Sequence, residues 1–339
     1  MPSALWIRRL TLAGVLLCLV VVVLGAYVRL TAAGLGCPDW PGCYGHLTPA
    51  GAEQNLAAQA AYPHAPLHVG KAWREMIHRY AASTLGLIIV VIAAMAIVTR
   101  RQRIVSVGYA LTLLALVVFQ GILGMLTVTL QLKPLIVTLH LIFGLTTLGM
   151  LWWLWLSLGK TVWRRTGTSI LVANPLRRPR QLVHIALVAL ALQIILGGWT
   201  STNYAAVACP DFPTCQNEWW PETDFKDAFV LWRGLGVNYE GGVLDHPARV
   251  AIHFTHRLGA IVATLALLLA VWITFRRVAL LRARPAAIGV LIALGLQLTI
   301  GISMVKSGFP LWLATAHNAG AALLVLTMLL LSAKVREIG

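Results

Sequence analysis

The sequence predicts an all-α integral membrane protein of eight transmembrane helices, arranged as two parallel-repeat four-helix bundles. Three observations carry that expectation. Of 339 residues, 59% are apolar and only 11% charged, against about 25% charged in an ordinary soluble domain. Eight stretches supply the roughly 20 apolar residues that crossing a hydrocarbon core requires. Finally, a set of marked residues in the first half recurs in order in the second. These features exclude a soluble enzyme, a disordered chain and an ordinary nucleic-acid-binding protein. No stretch alternates apolar and polar residues for long, which argues against a β-barrel.

The expected spans run over 10–30, 75–98, 105–127, 135–157, 181–202, 248–273, 286–305 and 312–332. The first follows Arg8 and Arg9, as a cleaved leader would. Its apolar run is too long for that and has a counterpart later, so it is read as a true span. Tryptophans at span ends, such as Trp152, Trp153, Trp199 and Trp312, read as interface anchors or bundle packing.

Charge sets the orientation. Lys and Arg number 27 against 11 Asp and Glu, a formal +16. Arg8, Arg9, Arg100, Arg101, Arg103, Lys160, Arg164, Arg165, Arg177, Arg178, Arg180, Arg276, Arg277, Arg282, Arg284, Lys334 and Arg336 all fall on one side, with Glu337 the only acid there. By the positive-inside rule that side is cytoplasmic and holds both termini. The whole excess lies on it, so the basic composition reads as topology, with anionic inner-leaflet lipids as partners and no nucleic acid.

The repeat is visible in the residues. Cys37-Pro38-Asp39-Trp40-Pro41-Gly42-Cys43 returns as Cys209-Pro210-Asp211-Phe212-Pro213-Thr214-Cys215, and Gly25 before it as Gly197. His78-Arg79 returns as His256-Arg257, Gln120 and Gly124 as Gln297 and Gly301, and His140 as His317. Four spans per half give both halves the same topology. The expected domains are an N-terminal bundle over 1–158, a basic cytoplasmic linker over 159–180 and a C-terminal bundle over 181–339.

Cys37 with Cys43, and Cys209 with Cys215, lie in two long outer loops, in an oxidising compartment where disulfides persist. Each pair reads either as a staple pinning its loop over the bundle or as a redox-active dithiol. A zinc site lacks a nearby histidine at suitable spacing. Cys18, inside the first span, reads as a small core residue.

Four of ten histidines sit in spans and in repeat register: His78, His140, His256 and His317. All four spans run from outside to inside, which places the imidazoles at similar depth near the outer face. Two histidines on different helices of one bundle suit bis-imidazole ligation of haem iron. Unrelated polar contacts would not repeat at matched depth, and ionisable groups in spans are costly and usually functional. Copper or zinc would need more ligands than two histidines per half. His46, His64, His68 and His246 show no metal spacing, and His184 reads as structural.

The halves differ at one place. Glu75 lies three residues before His78, on the same helical face, and its counterpart is His253. Glu75 reads as the reactive carboxylate of the first site or as an acid favoured at a helix N-terminus. Arg79 and Arg257 suit either haem propionates or a stabilising role in the bundle. His253 reads as a neighbour of the ligands or a simple polar contact.

Taken together, the duplicated plan, the Cys-Pro-Asp-Trp-Pro-Gly-Cys loop, Glu75-Met76-Ile77-His78-Arg79 and the later His140, His256 and His317 resemble the haem A synthase family over essentially the whole chain. The resemblance implies oxidation of the ring-D methyl of haem O to formyl, by way of an alcohol and a hydrated aldehyde that loses water. It implies that His78 and His140 ligate the substrate haem beside a catalytic Glu75. It further implies that His256 and His317 ligate a haem b, and that Cys37 and Cys43 match the family's first-loop pair. Cys209 and Cys215 match a second pair found in some members only. Glu75 would move a proton or stabilise positive charge on the oxidised carbon, while the haems carry the redox chemistry. Implied partners are haem O, delivered by a haem O synthase, and an electron-transfer partner, with room for a homo-oligomer. The expected location is a bacterial cytoplasmic (inner) membrane, with the haem sites near its outer, periplasmic face. The alternative is a di-haem b-type electron-transfer protein without haem-modifying activity. A transporter ranks behind both, because no proline breaks the span centres.

Overall fold

The computed structural model describes residues 2–163 and 177–337. The central part of the expected basic linker, 164–176, lies outside the described residues. Eight long helices carry the fold. They are α1 (Pro2–Leu30), α2 (Val69–Val98), α3 (Val107–Thr129), α4 (Pro134–Trp163), α5 (Arg177–Thr202), α6 (His246–Arg276), α7 (Arg284–Lys306) and α8 (Leu311–Glu337). All eight are long and apolar enough to cross a membrane. Among the described residues there is no β-strand.

Local chemistry sets several helix ends. The Ser106 hydroxyl accepts from the Tyr109 amide and caps α3, supplying a partner for an otherwise orphaned first-turn donor. Pro134 opens α4, and Pro247 and Pro285 lie in the first turns of α6 and α7, where a missing N–H costs nothing. The helix α2 starts at Val69, six residues earlier than the apolar run suggests, so Glu75 lies beyond the first turn. That removes helix-dipole stabilisation as its explanation, because the dipole acts over the first turn.

Helix α1 packs on α2 and α4, and α3 on α2 and α4. In the second half α5 packs on α6, α6 on α7, α7 on α8, and α8 back on α5. Three further contacts, α1 with α8, α4 with α8 and α4 with α5, join the halves. The Trp152 indole donates to the Leu326 carbonyl across this join (3.0 Å). Arg29 donates to the Ser201 carbonyl (2.8 Å) and lies over the Tyr204 ring. Lys133, fully buried, donates to Gly234 and stacks on Trp232 of the second outer loop.

Turn backbones recur between the halves. Left-handed Gln131 and Leu132 between α3 and α4 correspond to Gly308 and Phe309 between α7 and α8. Left-handed Tyr44 and Gly45 correspond to Gln216 and Asn217, and Ala32 to Tyr204. Trp199 is buried, with its indole bonded to the Ala228 carbonyl, so it packs the bundle. Trp312 is exposed.

Candidate functional site

The four span histidines gather at one end of the molecule, the end that carries the long loops. They follow their helix starts by six to ten residues, or about 9 to 15 Å at 1.5 Å per residue. The imidazoles form two pairs on different helices. His140 on α4 lies within electrostatic reach of His78 on α2, and His256 on α6 within reach of His317 on α8. The Nδ1 atoms of His78, His140 and His317 are buried without a hydrogen-bond partner. Such atoms are costly to leave bare. Two imidazoles facing one another from different helices are the donor set that haem iron would take, through Nε2, leaving each Nδ1–H to a separate acceptor.

Each ring rests on a glycine of an adjacent helix. A Cβ at Gly25 would lie 3.0 Å from the His78 ring, at Gly124 3.6 Å from His140, at Gly197 3.1 Å from His256 and at Gly301 2.9 Å from His317. At three of the four positions any side chain would press on the imidazole. These glycines are visible in the sequence as repeat markers, but nothing there tells which ring each one supports.

Over each bundle sits a cysteine loop. The sulfurs of Cys37 and Cys43 stand 2.03 Å apart, with the Cα atoms 4.8 Å apart; Cys209 and Cys215 are likewise bridged, with Cα atoms 4.7 Å apart. The aspartate of each motif organises the turn. Asp39 accepts from the amides of Tyr44 (2.6 Å) and Gly45 (2.8 Å). Asp211 accepts from the amides of Gln216 and Asn217 and from the Thr214 hydroxyl. Burial raises the proton affinity of Asp211, but these donors outweigh it and hold the carboxyl below its ordinary value. Burial, then the charges of Asp39 and Glu75, push the Tyr44 phenol upward. It stays protonated and donates to the Ala65 carbonyl (2.7 Å).

Each loop is tied to the histidine-bearing helix beneath it by the arginine that follows the histidine. Arg79 donates to the carbonyls of Asp39, Pro41 and Gly42, and Arg257 to those of Cys209, Asp211 and Thr214. Both were expected to pair with haem propionates or to stabilise the bundle. In the structure their guanidinium groups reach the loops, where the motif turns three carbonyls toward the helix. One turn earlier the halves diverge. Glu75, 4% exposed, takes Arg79 on Oε1 (2.5 Å) and the Cys37 amide on Oε2 (2.9 Å). His253 accepts from Arg257 at 3.3 Å.

The other marked residues stay apart from these sites. Cys18 is packed in the first-half core. His46 meets Asn55 (3.3 Å), and His246 meets Gln216. His184 is exposed. Among the described residues no group of three or more His, Cys, Asp or Glu is placed to hold a metal ion.

Fold and site together define a class: a polytopic helical membrane protein with two buried imidazole pairs, each under a cysteine-closed loop. The COX15-CtaA family model, described as a cytochrome oxidase assembly protein, matches residues 8–329, and the chain belongs to that family. It is 41% identical over 327 residues to heme A synthase of Shewanella oneidensis, covering 95% of this chain and 94% of that protein. It is 27% identical to heme A synthase of Rhizorhabdus wittichii over 91% of this chain and 88% of that one. For heme A synthase of Paracoccus denitrificans the identity is 29%, over 89% and 81%.

Proposed function

We propose that the protein converts haem O to haem A, oxidising the ring-D methyl group to formyl in the assembly of cytochrome oxidase. The observation that carries this is Glu75, a buried carboxylate one turn before His78 and held on both oxygens, where the second half has only His253. The relatives' shared name, heme A synthase, supports the same reading. The bundle of residues 1–158 takes haem O between His78 and His140. The bundle of residues 181–339 holds haem b between His256 and His317, and residues 159–180 join them.

The chain's own residues do the following. His78 and His140 hold the substrate between α2 and α4, with Gly25 and Gly124 setting how closely the neighbouring helices approach the rings. Arg79 and the Cys37 amide hold the Glu75 carboxyl group at a fixed point. There it either moves a proton or stabilises positive charge that develops on the methyl carbon, a contribution of about 10²–10⁴ in rate for proton transfer. Arg79 and Arg257 act through the loops they hold. When bound, the second-half haem supplies a one-electron relay to a separate electron-transfer partner.

The excess of basic residues orients the protein with both termini in the cytoplasm and the haem sites near the periplasmic face of an inner membrane. Haem O then arrives laterally from a haem O synthase in the same membrane, and the chain has room to associate with further copies.

The test is to purify the protein from cells that make haem O and to extract its non-covalent haems for chromatography and mass analysis. Haem O, its hydroxylated form or haem A beside haem b is expected. Haem b alone at both sites would overturn the proposal and leave a di-haem electron-transfer protein.

A further inference from the structure

Three glutamines lie in the spans beside the histidine pairs, and they do not treat the two halves alike. In the second half the Gln193 amide on α5 lies 3.1 Å from His256 Nδ1, and the Gln297 amide on α7 lies 3.3 Å from His317 Nε2. In the first half the Gln120 amide on α3 reaches only the His140 backbone carbonyl (3.0 Å). No glutamine serves His78, because Val21 stands where Gln193 stands in the second half.

The sequence pattern behind this difference is short. Gln193 precedes Gly197 by four residues and Gln297 precedes Gly301 by four, so one helix offers an amide and, one turn on, the glycine that seats the ring. On the ligand helix a glycine three residues after the histidine, Gly259 or Gly320, leaves space for that amide. A Cβ at either position would collide with the glutamine Oε1. In the first half the corresponding glycine is Gly144, four residues after His140. Its Cβ position lies 3.0 Å from Gln120 Nε2. This one-residue shift turns the space about 100° round the helix, and the amide falls on the backbone instead of the ring.

The amide carbonyls Oε1 of Gln193 and Gln297, like that of Gln120, are buried and without partner, so the halves differ in what the amides touch and not in this. A metal-bound imidazole is protonated at its other nitrogen, and a buried acceptor for that proton fixes the ring and raises its basicity. We propose that Gln193 is a positioning residue that accepts the Nδ1–H of the His256 imidazole and so sets the potential of the second-half haem. This rests on the reading of His256 and His317 as haem ligands. The Gln297 amide lies instead at His317 Nε2, the nitrogen that haem iron would take, and has no such part. A half-turn of the Gln193 amide, whose nitrogen and oxygen are interchangeable in shape, brings the unpartnered Oε1 to the ring in exchange for its bond to the His256 carbonyl.

More basic axial ligands favour ferric iron, so removing the acceptor raises the midpoint potential and strengthening it lowers the potential. The experiment is potentiometric titration of the purified haem-loaded protein, followed by the low-spin haem absorbance. Gln193→Leu is expected to raise the second-half midpoint and Gln193→Glu to lower it, both with unchanged haem content. Gln120→Leu is expected to leave that midpoint in place, since its amide touches no ring. If Gln193→Leu loses its haem, Gln193→Glu decides: a lowered midpoint supports the proposal and an unmoved one overturns it. An unmoved midpoint in haem-retaining Gln193→Leu also overturns it. If His256→Ala and His317→Ala leave the low-spin spectrum intact, the haem-ligand reading itself has failed, a result separable from failure of the glutamines.

Discussion

The two cysteine loops are near copies in sequence and backbone, with the same bridge, the same aspartate-capped turn and the same arginine clamp. What they cover is different. The first loop closes over a carboxylate that bonds to the loop's own Cys37 amide and to Arg79. The second closes over an imidazole, that of His253, which accepts from Arg257. The comparison shows how a duplicated scaffold can divide labour. The clamp is kept in both halves because it holds the loop. The residue one turn before the histidine is free to differ because carboxylate and imidazole can each accept from the clamping arginine.

That contrast is sharpest at Glu75. Glu75→Ala is expected to retain haem but to lose haem A formation by at least about 100-fold, measured by chromatography of extracted haems. Wild-type haem A levels would remove Glu75 from the mechanism. Glu75→His, which makes the first site resemble the second, should be equally inactive while keeping the imidazole–arginine contact seen at His253.

The glycine seats give the next largest effect, and they distinguish the halves by location. Gly25→Val presses on His78 and should deplete the first-half haem alone, whereas Gly197→Val presses on His256 and should deplete the second. Haem stoichiometry by pyridine haemochrome and mass analysis separates them. Equal loss from both halves in each variant would mean that the bundles do not hold their groups independently.

Smaller effects belong to the second loop. Replacing Cys209 and Cys215 together by serine releases a short closed loop and should cost about 2 kcal/mol of stability, read as a lowered Tm in detergent. The smallest effect is pH-dependent. Asp211 has a depressed proton affinity in the folded protein, so its contribution is present above its unfolded value and is lost as pH falls through the folded one. Asp211→Asn should lower Tm at neutral pH, and the gap to wild type should close in strong acid. A constant gap would show that shape, not charge, makes the turn.

Much of this was legible along the chain. The eight spans, the repeat and the four histidines follow from hydropathy and from residues that recur in order. The start of α2 was not, because Lys71, Arg74 and Glu75 interrupt the apolar run. Each finds a partner that lets the helix begin at Val69: Arg74 the Gly70 carbonyl, Glu75 the loop amide and Arg79, and Lys71 Glu240 of the second loop. The loop contacts of Arg79 and Arg257 were equally hidden, since nothing local says that a loop some 40 residues earlier will turn its carbonyls toward them.

The sequence by itself determined which segments enter the membrane and which residues recur, because burial in lipid and helical periodicity are properties of a segment alone. Only the tertiary structure decided that Gln193 and Gln297 reach imidazoles while Gln120 reaches a carbonyl. It likewise decided that Trp152, Arg29 and Lys133 stitch the halves together. The physical reason is that a hydrogen bond is made or missed over a few tenths of an ångström. That margin is set by how two helices pack, and in this protein a glycine displaced by one residue changes which atom a neighbouring amide can touch.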